Sequence, residues 1–233
     1  MNICYAMKKH NVKKIVLSSS AAVYGLTDNN PIKETAPLFP YNPYGRTKMI
    51  QEYIVSDFAK SEKAGAVILR YFNPIGAHES GLIGEDPMGT PSNLMPYVSQ
   101  VASGRLEKLY VFGNDYNTID GTGVRDYIHV CDLAKGHIKA LEKLNAINNC
   151  VLTLNLGSGH GYSVLEVIKS FEKASGIKIN YEIAPRRQGD VGTCFADITM
   201  SQKEIGWKAE RNIEKMCLDE WSWQKLNPKG YEE

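Results

Sequence analysis

Two stretches of the chain are continuously apolar: residues 14–17 (KIVL) and 66–71 (AVILRY). Such short runs are the signature of strands in a parallel sheet covered on both faces. Between them, residues 44–64 place Met49, Ile54, Val55 and Phe58 near helical spacing, with Gly65 as the expected stop. Strand, helix and strand in that order predict a βαβ unit. Residues 2–9 predict the end of a helix, and Ser18 to Ser20 close the first strand. The Gly- and Pro-rich stretch over residues 74–96 is too long for a plain connection, so it predicts a ligand-facing loop that leads into a second, smaller lobe. Asp132 is expected to cap a helix running to about Leu144, residues 153–156 predict a third short strand, and Ser163 with Glu166 reads as a capping box opening another helix. No internal repeat is visible.

Composition narrows the class without naming the chemistry. The 233 residues are 43% hydrophobic, enough for a substantial core, and the net charge is +1. Neither nucleic acid nor a membrane surface has an electrostatic foothold; Lys8, Lys9, Lys13 and Lys14 read as the solvated side of a helix and turn. Cys4, Cys131, Cys150, Cys194 and Cys217 are odd in number and widely spaced, which points to reduced thiols in a cytoplasmic protein. No apolar run reaches membrane-spanning length, and no secretion signal is expected. His10, His78, His129, His137 and His160 form no ligand-spaced pair with one another or with the cysteines, so no metal is expected.

Candidate chemistry lies in NPYGRTK at residues 42–48. Tyr44 and Lys48 are i and i+4 on one helical face, so the ammonium can stand near the phenol and stabilise the phenolate that a base needs. Asn42 suits the N-cap and Pro43 the first helical position, which sets Tyr44 at the open mouth of an α/β sheet. A serine at the end of the preceding strand, Ser18-Ser19-Ser20, could share the proton.

An α/β nucleotide-binding unit of this kind normally opens with a glycine-rich turn whose helix N-terminus holds a pyrophosphate, and no GxGxxG or GxxGxxG follows a strand here. The nearest candidate, Gly157-Ser158-Gly159-His160-Gly161, has the wrong spacing and reads as a tight structural turn. The chain is therefore expected to start part-way through its fold.

Six ordered blocks carry a resemblance that covers essentially the whole chain: SSSAAVYG (residues 18–25), YGRTK (44–48), RYFNPIGA (70–77), SNLMPYV (92–98), VFGNDYNTIDGTGVRDYIHV (111–130) and PRRQGDVGTCFAD (185–197). Together they closely resemble the UDP-glucose 4-epimerase family of extended short-chain dehydrogenase/reductases. The resemblance implies an α/β fold: an incomplete Rossmann-like parallel sheet whose first strands are missing, over residues 1–75 and 127–160, with a smaller α/β UDP-sugar-binding lobe over 76–126 and 161–233. The missing part would be the N-terminal segment with the glycine-rich NAD loop.

Carried over by position, the resemblance makes Tyr44 the catalytic base, Lys48 its tuner and a ligand of the nicotinamide ribose, and Ser20 a hydrogen-bond partner of the sugar hydroxyl. Ser18 and Tyr71 join Tyr44 and Lys48 beside NAD. Asn73, Asn93, Leu94, Tyr110, Phe112, Arg125, Arg187 and Asp190 surround the UDP-hexose, with the two arginines answering its pyrophosphate. Cys194 takes the position that gates the sugar pocket, and its small side chain implies acceptance of N-acetylated sugars as well as plain ones. The implied activity is NAD-dependent interconversion of UDP-glucose and UDP-galactose through a 4-keto intermediate, by a homodimer joined through the helices near residues 44–64. A sugar-nucleotide dehydratase is disfavoured, because Ala21 and Ala22 follow Ser20 where an acid and a base would be needed. The alternative is a truncated, non-catalytic chain that retains only part of the UDP-sugar site.

Overall fold

Side chains that alternate between two covered faces organise the central sheet of the computed structural model, which describes residues 1–27, 29–147 and 149–231. After helix α1 (Asn2–Lys9) come β1 (Lys14–Ser20), a 3-10 turn (Ala21–Val23), α2 (Pro43–Ser61) and β2 (Gly65–Tyr71). β3 (Asn73–Ile75) leads through a long loop to α3 (Leu94–Ala102), β4 (Leu109–Phe112), β5 (Val124–His129) and α4 (Val130–Leu144). The remainder is β6 (Val151–Leu156), β7 (Gly161–Ser163), α5 (Val164–Ser175), β8 (Tyr181–Ala184), β9 (Thr193–Cys194), α6 (Thr199–Ile205) and α7 (Ile213–Leu226).

The three-stranded parallel sheet runs β1-β2-β6. Ile15 and Leu17 pack with Ala66, Val55 and Ala59 on the α2 side, whereas Val16, Val67 and Leu69 pack with Leu133, Ala140 and Leu144 on the α4 side. β2 is buried on both faces and the edge strand β1 is half-buried on both, and cover from two sides is why these strands read as continuous apolar runs rather than alternating ones. A second core joins α3, α5 and α7 to β4 and β5 through Met95, Val98, Leu109, Tyr127, Phe171 and Trp221. β5 is the hub of the mixed sheet, parallel to β3 and β9 and antiparallel to β7, and β4 pairs in parallel with β8.

Two local expectations change. α2 stops at Ser61, and Lys63 takes the left-handed turn at φ 52°; Gly65 instead opens β2. The N-cap of α4 is His129, whose ring accepts from the Cys131 N–H, because Asp132 is committed elsewhere. Buried in the first turn, Asp132 accepts from the Glu210 and Arg211 amides and pairs with the Arg211 guanidinium, tying α4 to the segment after α6. The Ser163 and Glu166 capping box forms as expected, with both reciprocal bonds present.

The turn over residues 157–161 is structural. The Asp126 carboxylate accepts from the Ser158 and Gly159 amides, the Ser158 hydroxyl and the Ala196 amide, so those donors are already used. β7 follows the turn and pairs with β5 before any helix begins.

Candidate functional site

α2 carries the Tyr44 and Lys48 pair because its first turn is built for that position. The Asn42 side chain accepts from the Gly45 amide, Pro43 begins the helix, and a Cβ on Gly45 would strike the Ala22 carbonyl. The close approach sets the start of α2 against the end of β1. Lys48 Nζ donates to the Ser18 carbonyl at 2.9 Å and stands 5.7 Å from the Tyr44 ring centroid. Tyr44 is half exposed. The ammonium is thus fixed at the strand end while the phenol faces the open side.

Ser18, Ser20 and Tyr71 complete this end of the sheet. Ser20 pairs in register with Tyr71, and its hydroxyl accepts from the Ala22 amide, forming the cap of the 3-10 turn. The Ser18 hydroxyl lies 2.9 Å from His137 Nε2, and His137 Nδ1 donates to the Leu133 carbonyl at 2.9 Å, which holds the ring in place. The Tyr71 phenol is raised above its ordinary pKa, first by burial and then by its neighbour Tyr44.

Beneath α2 lies a polar network that the hydrophobic pattern did not reveal. Glu52 is buried and accepts from Arg70 Nε at 3.0 Å and Nη2 at 2.7 Å, and from the Ser19 hydroxyl. Arg70 Nη1 also donates to the Tyr24 hydroxyl and the Glu34 carbonyl, and Tyr24 donates to Asn155. Burial works against the Arg70 charge, but Glu52 and Tyr24 more than offset it and raise its pKa. The network joins β1, β2, β6 and α2, and so fixes the helix that carries the Tyr44 and Lys48 pair. Its one sequence signal was an arginine inside an otherwise apolar strand.

From β2 the chain passes through Asn73 into a cavity where most of the expected substrate residues meet. Asn73, Asn93, Leu94, Tyr110, Phe112, Arg125, Arg187 and Asp190 all line it, and so do Tyr97, Tyr116 and Tyr127, which sequence reasoning missed. Arg187 lies 4.7 Å over the Phe112 ring and donates to Asp190 at 3.1 Å. Arg125 Nη1 is held by the Val124 and Val191 carbonyls, with Nη2 at 3.7 Å from Asp190. Two guanidinium groups with one shared carboxylate leave a net positive end to an aromatic cleft, a donor set suited to a diphosphate beside a flat ring. Ser20 and Cys194 stand outside this lining. Cys194 packs beside Val23, Tyr24, Ile32, Phe72 and Ala196, and burial pushes its thiol up to about 11.

The family model described as GDP-mannose 4,6 dehydratase matches residues 1–219. The UDP-glucose 4-epimerase of Bacillus subtilis is 58% identical over 231 residues, covering 98% of this chain and 68% of that protein. The chain belongs to the UDP-glucose 4-epimerase family. The human UDP-glucose 4-epimerase is 56% identical over 227 residues, covering 97% of this chain and 65% of its own. The chain therefore spans about two thirds of the length of these family members. The UDP-glucose 4-epimerase of Bifidobacterium longum, solved in complex with NAD+ and UDP, superimposes with a TM-score of 0.93 at 54% identity, covering 97% of this chain and 68% of that one. The family assignment accords with the incomplete Rossmann-like fold expected from the sequence, with parallel strands flanked by helices.

Proposed function

We propose that this chain carries the substrate half and the acid-base residues of an NAD-dependent UDP-hexose 4-epimerase, interconverting UDP-glucose and UDP-galactose. The observation that carries the reading is the continuity from Tyr44 and Lys48, through Tyr71 at the end of β2, to Asn73 and the arginine-bearing aromatic cleft. A UDP-hexose laid along that path puts uracil among the aromatic side chains, the diphosphate at Arg125 and Arg187, and the sugar toward Tyr44.

The residues present fit the nicotinamide-ribose end of NAD. Lys48, Ser18 and Tyr71 gather polar groups where the parallel strands end, the usual ligand position of such sheets. Among the described residues the Gly157 to Gly161 turn offers no free cradle for a pyrophosphate, since Asp126 occupies its amides. Bound there, NAD would supply the acceptor for the C4 hydride and the donor that returns it. Tyr44 takes the O4 proton, Lys48 stabilises the charge left on the phenol oxygen, and Ser20 holds the sugar oxygen; the same proton returns after the keto sugar has turned over. Nothing is consumed.

A dehydratase needs an acid to protonate the departing C6 hydroxyl and a base at C5, and Ala21 and Ala22 beyond Ser20 provide neither. In this reading residues 1–75 and 127–160 belong to the nucleotide-binding part and 76–126 and 161–233 to the sugar-nucleotide lobe; the apolar cores cross that division, since Ile205 and Trp207 pack with the central sheet and Ile75 and Tyr127 with α3, α5 and α7. Ile50 and Tyr53 are exposed on α2, which supports homodimer formation through that helix. Cys194, small and near Arg125, supports acceptance of N-acetylated hexoses.

The test is incubation of the protein with NAD and UDP-glucose, with UDP-galactose quantified by NMR. Turnover in the wild type with a loss of about 10²-fold or more in Tyr44→Phe is expected; equal rates in the two would show that another group takes the proton.

A further inference from the structure

The loop between β3 and α3 supplies Asn93 and Leu94 to the nucleotide cleft, yet its middle is held by the C-terminal end of the chain. The Tyr231 hydroxyl donates to the Gly84 carbonyl at 3.0 Å and accepts from the Gly84 amide at 2.9 Å. Its ring packs tilted against that of Trp223, centroids 5.6 Å apart, and a Cβ on Gly84 would collide with the same indole. The Tyr231 amide donates to Asp86 Oδ2, two residues beyond Gly84, at 3.1 Å. Gly230 makes this approach possible: it sits at φ 77°, and any side chain there would run into the Asp86 carboxylate.

The grip continues toward the cleft. Asp86 Oδ1 accepts from Arg105 just beyond α3, and Glu85 accepts from Asn93 Nδ2 at 3.4 Å. Asn227, the residue that caps the C-terminus of α7, donates to the Gly81 carbonyl. Tail, loop and the N-terminus of α3 form one linked series.

We infer that Tyr231 is a positioning residue for the nucleotide cleft, acting through the backbone of Gly84 and the Glu85 to Asn93 contact to hold the start of α3 in its binding geometry. This rests on the reading of the cleft as a UDP site. In the absence of the hydroxyl, Gly84 loses partners for both of its backbone groups, and the loop relaxes away from Asn93.

The experiment uses Tyr231→Phe, which keeps the ring on Trp223 and removes only the hydroxyl, with Asp86→Asn as a second variant acting on the opposite side of the hook. UDP titrated calorimetrically into each at 25 °C is expected to bind about tenfold more weakly, with stoichiometry unchanged. Leu144→Ala, buried in the other core, destabilises the chain without touching the loop and is expected to keep the wild-type Kd. Hydrogen exchange across residues 84–94 is expected to rise in both hook variants while exchange in β2 stays the same. Wild-type Kd and wild-type exchange in Tyr231→Phe and Asp86→Asn would overturn the inference. Failure of the wild-type chain to bind UDP would overturn the reading of the cleft instead, and the exchange data would still decide whether Tyr231 sets the loop.

Discussion

Glu52 and Arg70 face each other across the α2 and β2 interface with three contacts of 2.7 to 3.3 Å, both side chains almost wholly removed from water. Forming such a pair gains little net stability, because desolvation of the two charges offsets their attraction. Removing one partner is a different matter, since the other remains buried and uncompensated. Glu52→Ala is expected to lower unfolding stability by about 3–5 kcal/mol, read from the urea midpoint. The double variant Glu52→Ala with Arg70→Leu should recover part of that loss. A single variant within about 1 kcal/mol of wild type would mean that Tyr24 and Glu34 alone satisfy the arginine.

This pair also marks where the sequence stops being legible. β1, α2 and β2 could be placed because a strand dry on both faces leaves an uninterrupted apolar run, and because Asn42-Pro43 announces a helix start. Glu52 carries no sign of burial in the sequence, since helical spacing alone does not show that a strand arginine waits opposite. Asp132 misled as a cap for the same reason: its partners, the Glu210 and Arg211 amides, lie far along the chain. The cleft has no local period at all. Its walls come from β3, the α3 N-terminus, β4, β5 and residues 187–190, and only resemblance to a known family gathered them beforehand. Once parallel pairing brings β4 beside β8 and β9 beside β5, Phe112 and Arg187 become neighbours.

Arg125 and Arg187 should read the diphosphate rather than the nucleoside. Replacing Arg187 by Ala removes a charge-assisted donor whose worth is about 1.5–3 kcal/mol, or roughly 10- to 100-fold in affinity. Calorimetric titration is expected to show that loss for UDP and almost none for uridine. Equal losses for both ligands would assign Arg187 to packing on Phe112.

Cys194 gives a specificity prediction. Its side chain packs against the Val23, Ile32 and Phe72 cluster, and its strand pairs with β5 at Arg125, beside the path proposed for the sugar nucleotide. Cys194→Tyr is expected to abolish turnover of UDP-N-acetylhexoses and to leave UDP-glucose epimerisation within a few-fold. Retained N-acetyl activity in the variant would remove the basis for the gate.

Glu220 supplies the clearest pH dependence. It sits on α7, is nearly inaccessible, and its Oε1 has no hydrogen-bond partner among the described residues. Burial pushes its carboxyl up to about 7 from the model-compound value of 4.5; the Ser99 hydroxyl pulls slightly the other way and Glu85 adds to the rise. Below pH 4.5 the group is protonated in both folded and unfolded chains. Between 4.5 and about 7 only the unfolded chain releases the proton, so stability falls as pH rises, by roughly 3 kcal/mol over the whole window. Glu220→Gln keeps the shape and removes the titration. The difference in melting temperature between variant and wild type should therefore be small at pH 4.5, grow in the variant's favour up to about pH 7, and level off beyond. A difference that is flat with pH would show that Glu220 ionises in the folded chain as it does in water.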